Sequence, residues 1–196
     1  EMAIRMVDCV PVCVPTTAQF QLDLAAIERA ITPRTRAIVT VSPNNPSGAV
    51  YDEASLRAVS QLCRERGLYH FSDEAYEYFV YDGARHFSPA SIPGAADYTL
   101  SFHSFSKTYG MASWRVGYVV YPRHLEQAMN KVQDTNLTCA PVVSQTVALA
   151  ALGLGKPAIQ PPPDAQAGVR AGAYQALGAF SGISEFPATQ GARHLL

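Results

Sequence analysis

The sequence predicts an α/β protein built on a parallel sheet, and three observations carry that prediction. An apolar, β-branched run at residues 36–42 leads through a helical pattern to a second apolar run ending at Asp73, the strand–helix–strand order of a parallel crossover. Two more strand-like runs follow, residues 98–104 and "RVGYVVYP". The residues with unusual chemistry fall just after the carboxyl ends of these runs, where parallel sheets bind small molecules.

Taken in order, "EMAIRMVDCV" reads as the last turns of a helix running into a strand, followed by the short apolar run "VPVCVP". In "DLAAIERAI", Leu24, Ile27 and Ile31 have helical spacing. "RAIVTVS" is expected to be a fully buried strand, and "PNNPSG" a turn-rich loop. The next helix lies in "DEASLRAVSQLCRERG", with Asp52 as N-cap, Leu56, Val59 and Cys63 on one face, and Gly67 just past its end. "LYHFSD" is the strand it feeds. After the third and fourth strands, one helix carries Leu125, Met129 and Val132, and an apolar helix runs from Pro141 to about Leu152. The stretch "GLGKPAIQPPPDAQ" cannot be helical through three consecutive prolines. It marks the expected boundary between a large domain, residues 1–152, and residues 153–196, a linker and the start of a smaller domain. A last amphipathic helix, from Asp164 to about Phe180, leads to "GARHLL", where an apolar strand is starting. Both ends fall inside elements, so the chain is expected to be a piece of something longer.

Composition narrows the function. A chain of 196 residues is long enough for one good-sized core, and a formal net charge of −1 gives no sign of a nucleic-acid or membrane-surface partner. No apolar run reaches membrane-spanning length, and no basic-then-apolar leader opens the sequence. Four cysteines without CxxC spacing argue against zinc and for a reduced, cytoplasmic setting. The histidines are scattered and suggest no metal site; His70, His103 and Trp114 are expected to pack in the core. "SKT" has the ending of a phosphate-binding P-loop, but serines stand at both required glycine positions, Ser101 and Ser106.

What remains is a rim. Asn45 follows the first strand, Asp73 ends the second and Lys107 follows the third, so an amide, a carboxylate and an amine converge on one sheet edge. That pattern predicts a small-molecule site.

The three motifs "SPNNPSG", "SDEAYEYF" and "SFSKTYGMASWRVGY", in this order and spacing, resemble the class I/II aminotransferases of pyridoxal phosphate fold type I, of the aspartate aminotransferase kind. The resemblance runs from the first residue to about Leu152 and is weaker beyond. It implies a three-layer α/β/α large domain, a mostly parallel sheet with one antiparallel strand, a small domain made from both chain ends, and a homodimer. It also implies pyridoxal 5′-phosphate as cofactor, with an amino acid and a 2-oxo acid as substrates.

Each matched residue then has an implied role. Lys107 matches the lysine that forms the Schiff base and, once released, carries the proton between the substrate α-carbon and the cofactor. Asp73 matches the carboxylate that keeps the pyridine nitrogen protonated, so that the ring draws electrons. Tyr76 matches the phenol on the ring oxygen, and Asn45 the amide beside it. Ser104, Ser106 and Arg115 match the phosphate binders, the arginine through its planar fork. Gly110 and Gly117 relieve crowding, Pro43, Pro46 and Gly48 are turn scaffolding, and the Asn45–Pro46 bond is expected to be cis.

By the same resemblance, the phosphate-binding helix, the aromatic residue stacking on the ring and a tyrosine lent by the partner lie upstream of Glu1. The arginine for the substrate α-carboxylate lies downstream of Leu196. The 196-residue chain alone is therefore expected to bind the cofactor weakly and to transaminate poorly. Aspartate with 2-oxoglutarate is the expected pairing, although no arginine between Gln133 and Ala151 grips a second carboxylate. A carbon–sulfur lyase or decarboxylase with the same cofactor is an alternative, as is a non-catalytic domain of this fold.

Overall fold

The computed structural model describes residues 1–159, 163–179 and 189–192. Strands β1 (Ala37–Val41), β2 (Tyr69–Asp73), β3 (Thr99–Ser104) and β4 (Gly117–Val120) form one sheet in sequence order. β1, β2 and β3 pair in parallel, and β4 runs antiparallel to β3, as expected. Among the described residues the α-helices are α1 (Met2–Arg5), α2 (Leu24–Ala30), α3 (Glu53–Arg66), α4 (Phe105–Thr108), α5 (Glu126–Asn136), α6 (Val142–Leu154) and α7 (Pro163–Gly178).

A parallel pair cannot be closed by a tight turn, and α3 supplies the crossover from β1 to β2. Asp52 starts it by accepting bonds from the Ser55 amide and hydroxyl, both at 2.8 Å. Gly67 stops it in the left-handed region at φ 66°, where Leu68 N–H can reach the Cys63 carbonyl at 2.8 Å. Its buried face, Leu56, Val59, Ser60 and Cys63, follows the helical repeat. α2 is capped in the same way by Asp23, which accepts from Ala26 N–H at 2.9 Å. Ile27 of α2, Val59 and Cys63 of α3 and Leu68 form one core cluster over Ile38 of β1. Each such aliphatic side chain contributes about 1.5–3 kcal/mol by leaving water. Leu56, with Ala49 and Tyr51, ties the loop after β1 to α3.

The strand register puts Ile38, Thr40, His70, Ser72, Thr99 and Ser101 on one face of the sheet. That face meets α2 and α3. Several of these buried positions are polar, and Thr40 Oγ1 bonds His70 Nε2 at 2.9 Å, while beside them Ser60 of α3 bonds the Tyr98 hydroxyl at 3.0 Å. Burial pushes the His70 imidazole down to about 4, so it is neutral near pH 7.

Two expectations are corrected. β1 is not fully buried: Val39 is 52% exposed, because β1 is an edge of the described sheet and Val39 faces away from α2 and α3. The strand expected after α1 is absent among the described residues, and Val10 and Val12 are exposed. Pro11 and Pro15 remove two ladder donors from that stretch. α6 extends two residues beyond the expected end, and α7 starts at Pro163, the last of the three prolines. Phe180 and the final residues of "GARHLL", 193–196, lie outside the described residues.

Candidate active site

Because β1, β2 and β3 run the same way, their carboxyl ends share one edge, and the antiparallel β4 begins there. Ser104 at the end of β3 pairs with Gly117 at the start of β4, so Lys107 and Arg115 lie on one loop whose two ends are joined by the sheet. The Ser42 amide donates to the Asp73 carbonyl at 3.1 Å, fastening the loop after β1 to the end of β2. All seven candidate residues therefore lie in segments that leave or enter this single edge.

The loop after β1 is shaped by Asn44, which the motifs do not single out. Its Oδ1 accepts from the Ser47 amide at 3.3 Å and the Ser47 hydroxyl at 2.7 Å, while its amide donates to Val41 O at 3.4 Å. Asparagine followed by serine three residues later is the sequence signal for such a turn. Asn44 is thereby occupied within the loop, and Asn45 is left exposed at the edge. The Asn45–Pro46 bond is cis as expected, and Ser42–Pro43 is cis as well.

Residues 189–192 border this loop, a contact with no local signal in the sequence. The Gln190 and Gly191 amides donate to Gly48 O at 2.9 and 2.8 Å, and Val80 pairs with Gly191. Gly48 has φ 67°, and a Cβ there would lie 2.5 Å from Thr189. Only glycine fits both demands.

At the end of β2, Asp73 is half-buried and its Oδ1 accepts from the Ala75 amide at 3.1 Å, which helps to start the turn that follows. Tyr76 is buried and packs edge-on to Phe79, ring centroids 6.1 Å apart. The Lys107 amine stands 5.9 Å from the centroid of the Tyr76 ring, which brings the lysine, the phenol and the strand end of Asp73 together.

Lys107 sits in the last turn of α4. Ser104 caps that helix by accepting from the Ser106 amide at 3.1 Å, and buried Phe105 and Thr108 fix its inward side. Gly110 turns with φ 65° and Arg115 itself adopts φ 50° before β4 begins. Gly117 is required by close approach, since a Cβ there would meet the His103 carbonyl at 2.7 Å. The Arg115 guanidinium is exposed and donates to Ala112 O at 2.7 Å, and Ser144 of α6 donates to Trp114 O at 2.8 Å. Trp114 corrects an expectation: it is 39% exposed on the surface of this loop rather than packed in the core.

Behind the edge lies a buried ionic network that the motifs do not reveal. Glu74, next to Asp73, accepts from His86 Nε2 at 2.8 Å and from the Ser88 hydroxyl at 2.9 Å. Burial opposes its charge, but the bonds and positive charge from His86, with Ser88, outweigh that and hold the carboxyl below its usual range. Glu77 bonds His103 Nδ1 at 3.3 Å, and His103 stacks on Tyr118 at 4.7 Å. Burial works against the charged His103, yet the Glu77 bond and charge prevail and raise its pKa.

Residues 1–160 match the family described as aminotransferase class I and II. The chain is 41% identical over 152 residues to a probable aspartate/prephenate aminotransferase of Aquifex aeolicus, covering 76% of this chain and 39% of that protein. It is 41% identical over 158 residues to a bifunctional aspartate and glutamate/aspartate-prephenate aminotransferase of Petunia hybrida, covering 79% and 33%. Among solved structures, a double mutant of Thermus thermophilus aspartate aminotransferase superposes with a TM-score of 0.89 at 34% identity, covering 96% of this chain and 50% of that one. The chain thus spans well under half the length of the two sequence relatives.

Proposed function

The chain belongs to the class I and II aminotransferases, and from that premise we propose that the protein transfers an amino group between an amino acid and a 2-oxo acid, using pyridoxal 5′-phosphate at the sheet edge. One observation carries the reading: the Lys107 amine stands 5.9 Å from the Tyr76 ring at the edge where β2 ends in Asp73.

The donor set fits this cofactor. The edge offers an amine that would take the aldehyde, a carboxylate for the pyridine nitrogen, a phenol and an amide for the ring oxygen, and two hydroxyls with a guanidinium for the phosphate. Bound there, the cofactor supplies an electron sink for the substrate α-carbon. Asp73 holds a proton at the ring nitrogen, and Tyr76 and Asn45 bond the ring oxygen. Ser104, Ser106 and Arg115 bind the phosphate, with Arg115 as counter-charge. Lys107 anchors the cofactor and then moves the proton at the substrate α-carbon.

The names of the relatives support aspartate as amino donor, and 2-oxoglutarate is our acceptor. The family resemblance supports a homodimer, which sedimentation of the whole protein would test. The four cysteines are free, which supports a cytoplasmic setting, and no described helix is long and apolar enough to cross a membrane. We assign residues 1–152 to the cofactor-binding domain and 153–196 to the linker and small domain.

The test is Lys107→Ala in the whole protein, assayed for 2-oxo acid formation from aspartate. Turnover should fall by more than about 10³-fold. Full activity in the variant would reject the role of Lys107, and pyruvate released with a thiol from sulfur-containing amino acids would point to a lyase instead.

A further inference from the structure

Glu74 carries a chemistry that the proposed roles do not use. Its side chain has no exposed surface. An unpaired buried carboxylate costs several kcal/mol, so such a group is tolerated only where partners hold it. Here the partners come from chain 12 and 14 residues away, His86 Nε2 at 2.8 Å and Ser88 Oγ at 2.9 Å. The Glu74 backbone is held as well: its N–H donates to Phe102 O of β3 at 2.9 Å, and its carbonyl accepts from Glu77 N–H at 3.0 Å. The residue is therefore fixed through four bonds to three different segments.

Its neighbours in sequence are the informative part. Asp73 immediately precedes it and Tyr76 is two residues on, the two groups assigned to the ring nitrogen and the ring oxygen. At the far end of the same turn, Glu77 bonds His103, one residue before the Ser104 that caps the lysine helix. The Glu74, Glu77 and His86 ligand atoms lie within 4.8 Å of one another, so the two clamps share one charge cluster. With both Glu74 oxygens already engaged by protein donors, the cluster is built as a clamp.

We propose that Glu74 is a positioning residue, whose carboxylate, gripped by His86 and Ser88, fixes the turn that presents Asp73 and Tyr76 to the cofactor. The inference rests on the aminotransferase reading for what the turn presents, but the clamp itself can be tested without cofactor. Freezing the turn matters because a small displacement of a reacting or ring-binding group costs far more rate than stability.

The experiment compares Glu74→Gln and His86→Asn with the parent and with Val59→Ala, a variant in the core cluster of Ile27, Cys63 and Leu68 that controls for general loss of stability. Hydrogen exchange of the backbone amides of residues 74–77 in cofactor-free protein should accelerate in the two clamp variants by at least about tenfold more than in Val59→Ala. In the loaded whole protein, kcat should fall by about 10–100-fold with KM little changed, and the pH midpoint of the bound cofactor's visible absorbance should move. Val59→Ala should leave that midpoint in place. Parent-like exchange at 74–77 together with a parent-like midpoint in Glu74→Gln would overturn the proposal. Should Glu74→Gln fail to fold, His86→Asn decides by the same two readouts. A parent protein that binds no cofactor would reject the aminotransferase reading, and the exchange result would then decide the clamp alone.

Discussion

Gly48→Ala asks how strongly the segment at residues 189–192 is held against the asparagine loop. The substitution acts twice. A side chain at φ 67° carries left-handed strain of about 1–2 kcal/mol. The new Cβ would also fall 2.5 Å from Thr189 Cβ and Cγ2, inside any allowed contact, so the segment must move away. Moving it lengthens the bonds from Gln190 and Gly191 N–H to Gly48 O, now 2.9 and 2.8 Å, each contributing about 0.5–1.5 kcal/mol. The expected loss is roughly 2–5 kcal/mol, felt as local opening more than as melting of the sheet. Gly67→Ala is the matched control, because Gly67 has nearly the same φ, 66°, yet nothing lies within 4 Å of its added Cβ. Amide exchange measured by NMR should show Gln190 and Gly191 opening at least about thirtyfold more in Gly48→Ala than in the parent. In Gly67→Ala these two amides should exchange as in the parent, and urea titration should show only the backbone strain. Equal destabilisation by the two substitutions, with Gln190 and Gly191 still protected in Gly48→Ala, would refute the close-approach reasoning.

Two further outcomes follow from the core. The folded His70 imidazole titrates at about 4 against 6.5 when free, so as pH falls the unfolded chain binds the proton first. Stability should therefore drop between pH 6.5 and about 4, by up to about 3 kcal/mol, and level off below. Chemical denaturation of His70→Gln should lack this step, and an undiminished step in the variant would reject the assignment. Leu56→Ala should cost about 2–5 kcal/mol in urea titrations, because the residue is buried between α3 and the loop after β1. A cost below about 1 kcal/mol would mean that this cluster collapses around the gap.

Much of the fold was legible because it is written in local signals. Asp52 and Gly67 mark α3 at both ends, and the strand–helix–strand order fixes a parallel pair. The rim followed from topology alone: once three strands are parallel, Asn45, Asp73 and Lys107 must leave by one edge. What stayed hidden depends on partners distant in sequence. Glu74 reads as an ordinary polar residue beside Asp73 until His86 and Ser88 are brought to it, and Gly48 reads as a turn glycine until Thr189 arrives. Trp114 and Val39 were misread for the opposite reason, since hydrophobicity does not say whether a covering element lies over that part of the surface.

The antiparallel course of β4 has a consequence for how the site is assembled. Ser104 and Gly117 are paired across the sheet, so the chain from the lysine helix to the arginine returns to its own starting strand. The separation of the amine from the guanidinium is thus governed by a hairpin, an element of short sequence separation and low contact order. Asn45 and Asp73 reach the same edge only after the long crossover through α3 has closed. The cationic half of the site is therefore a local module, and its acidic and amide half is the part that reports on completion of the global topology.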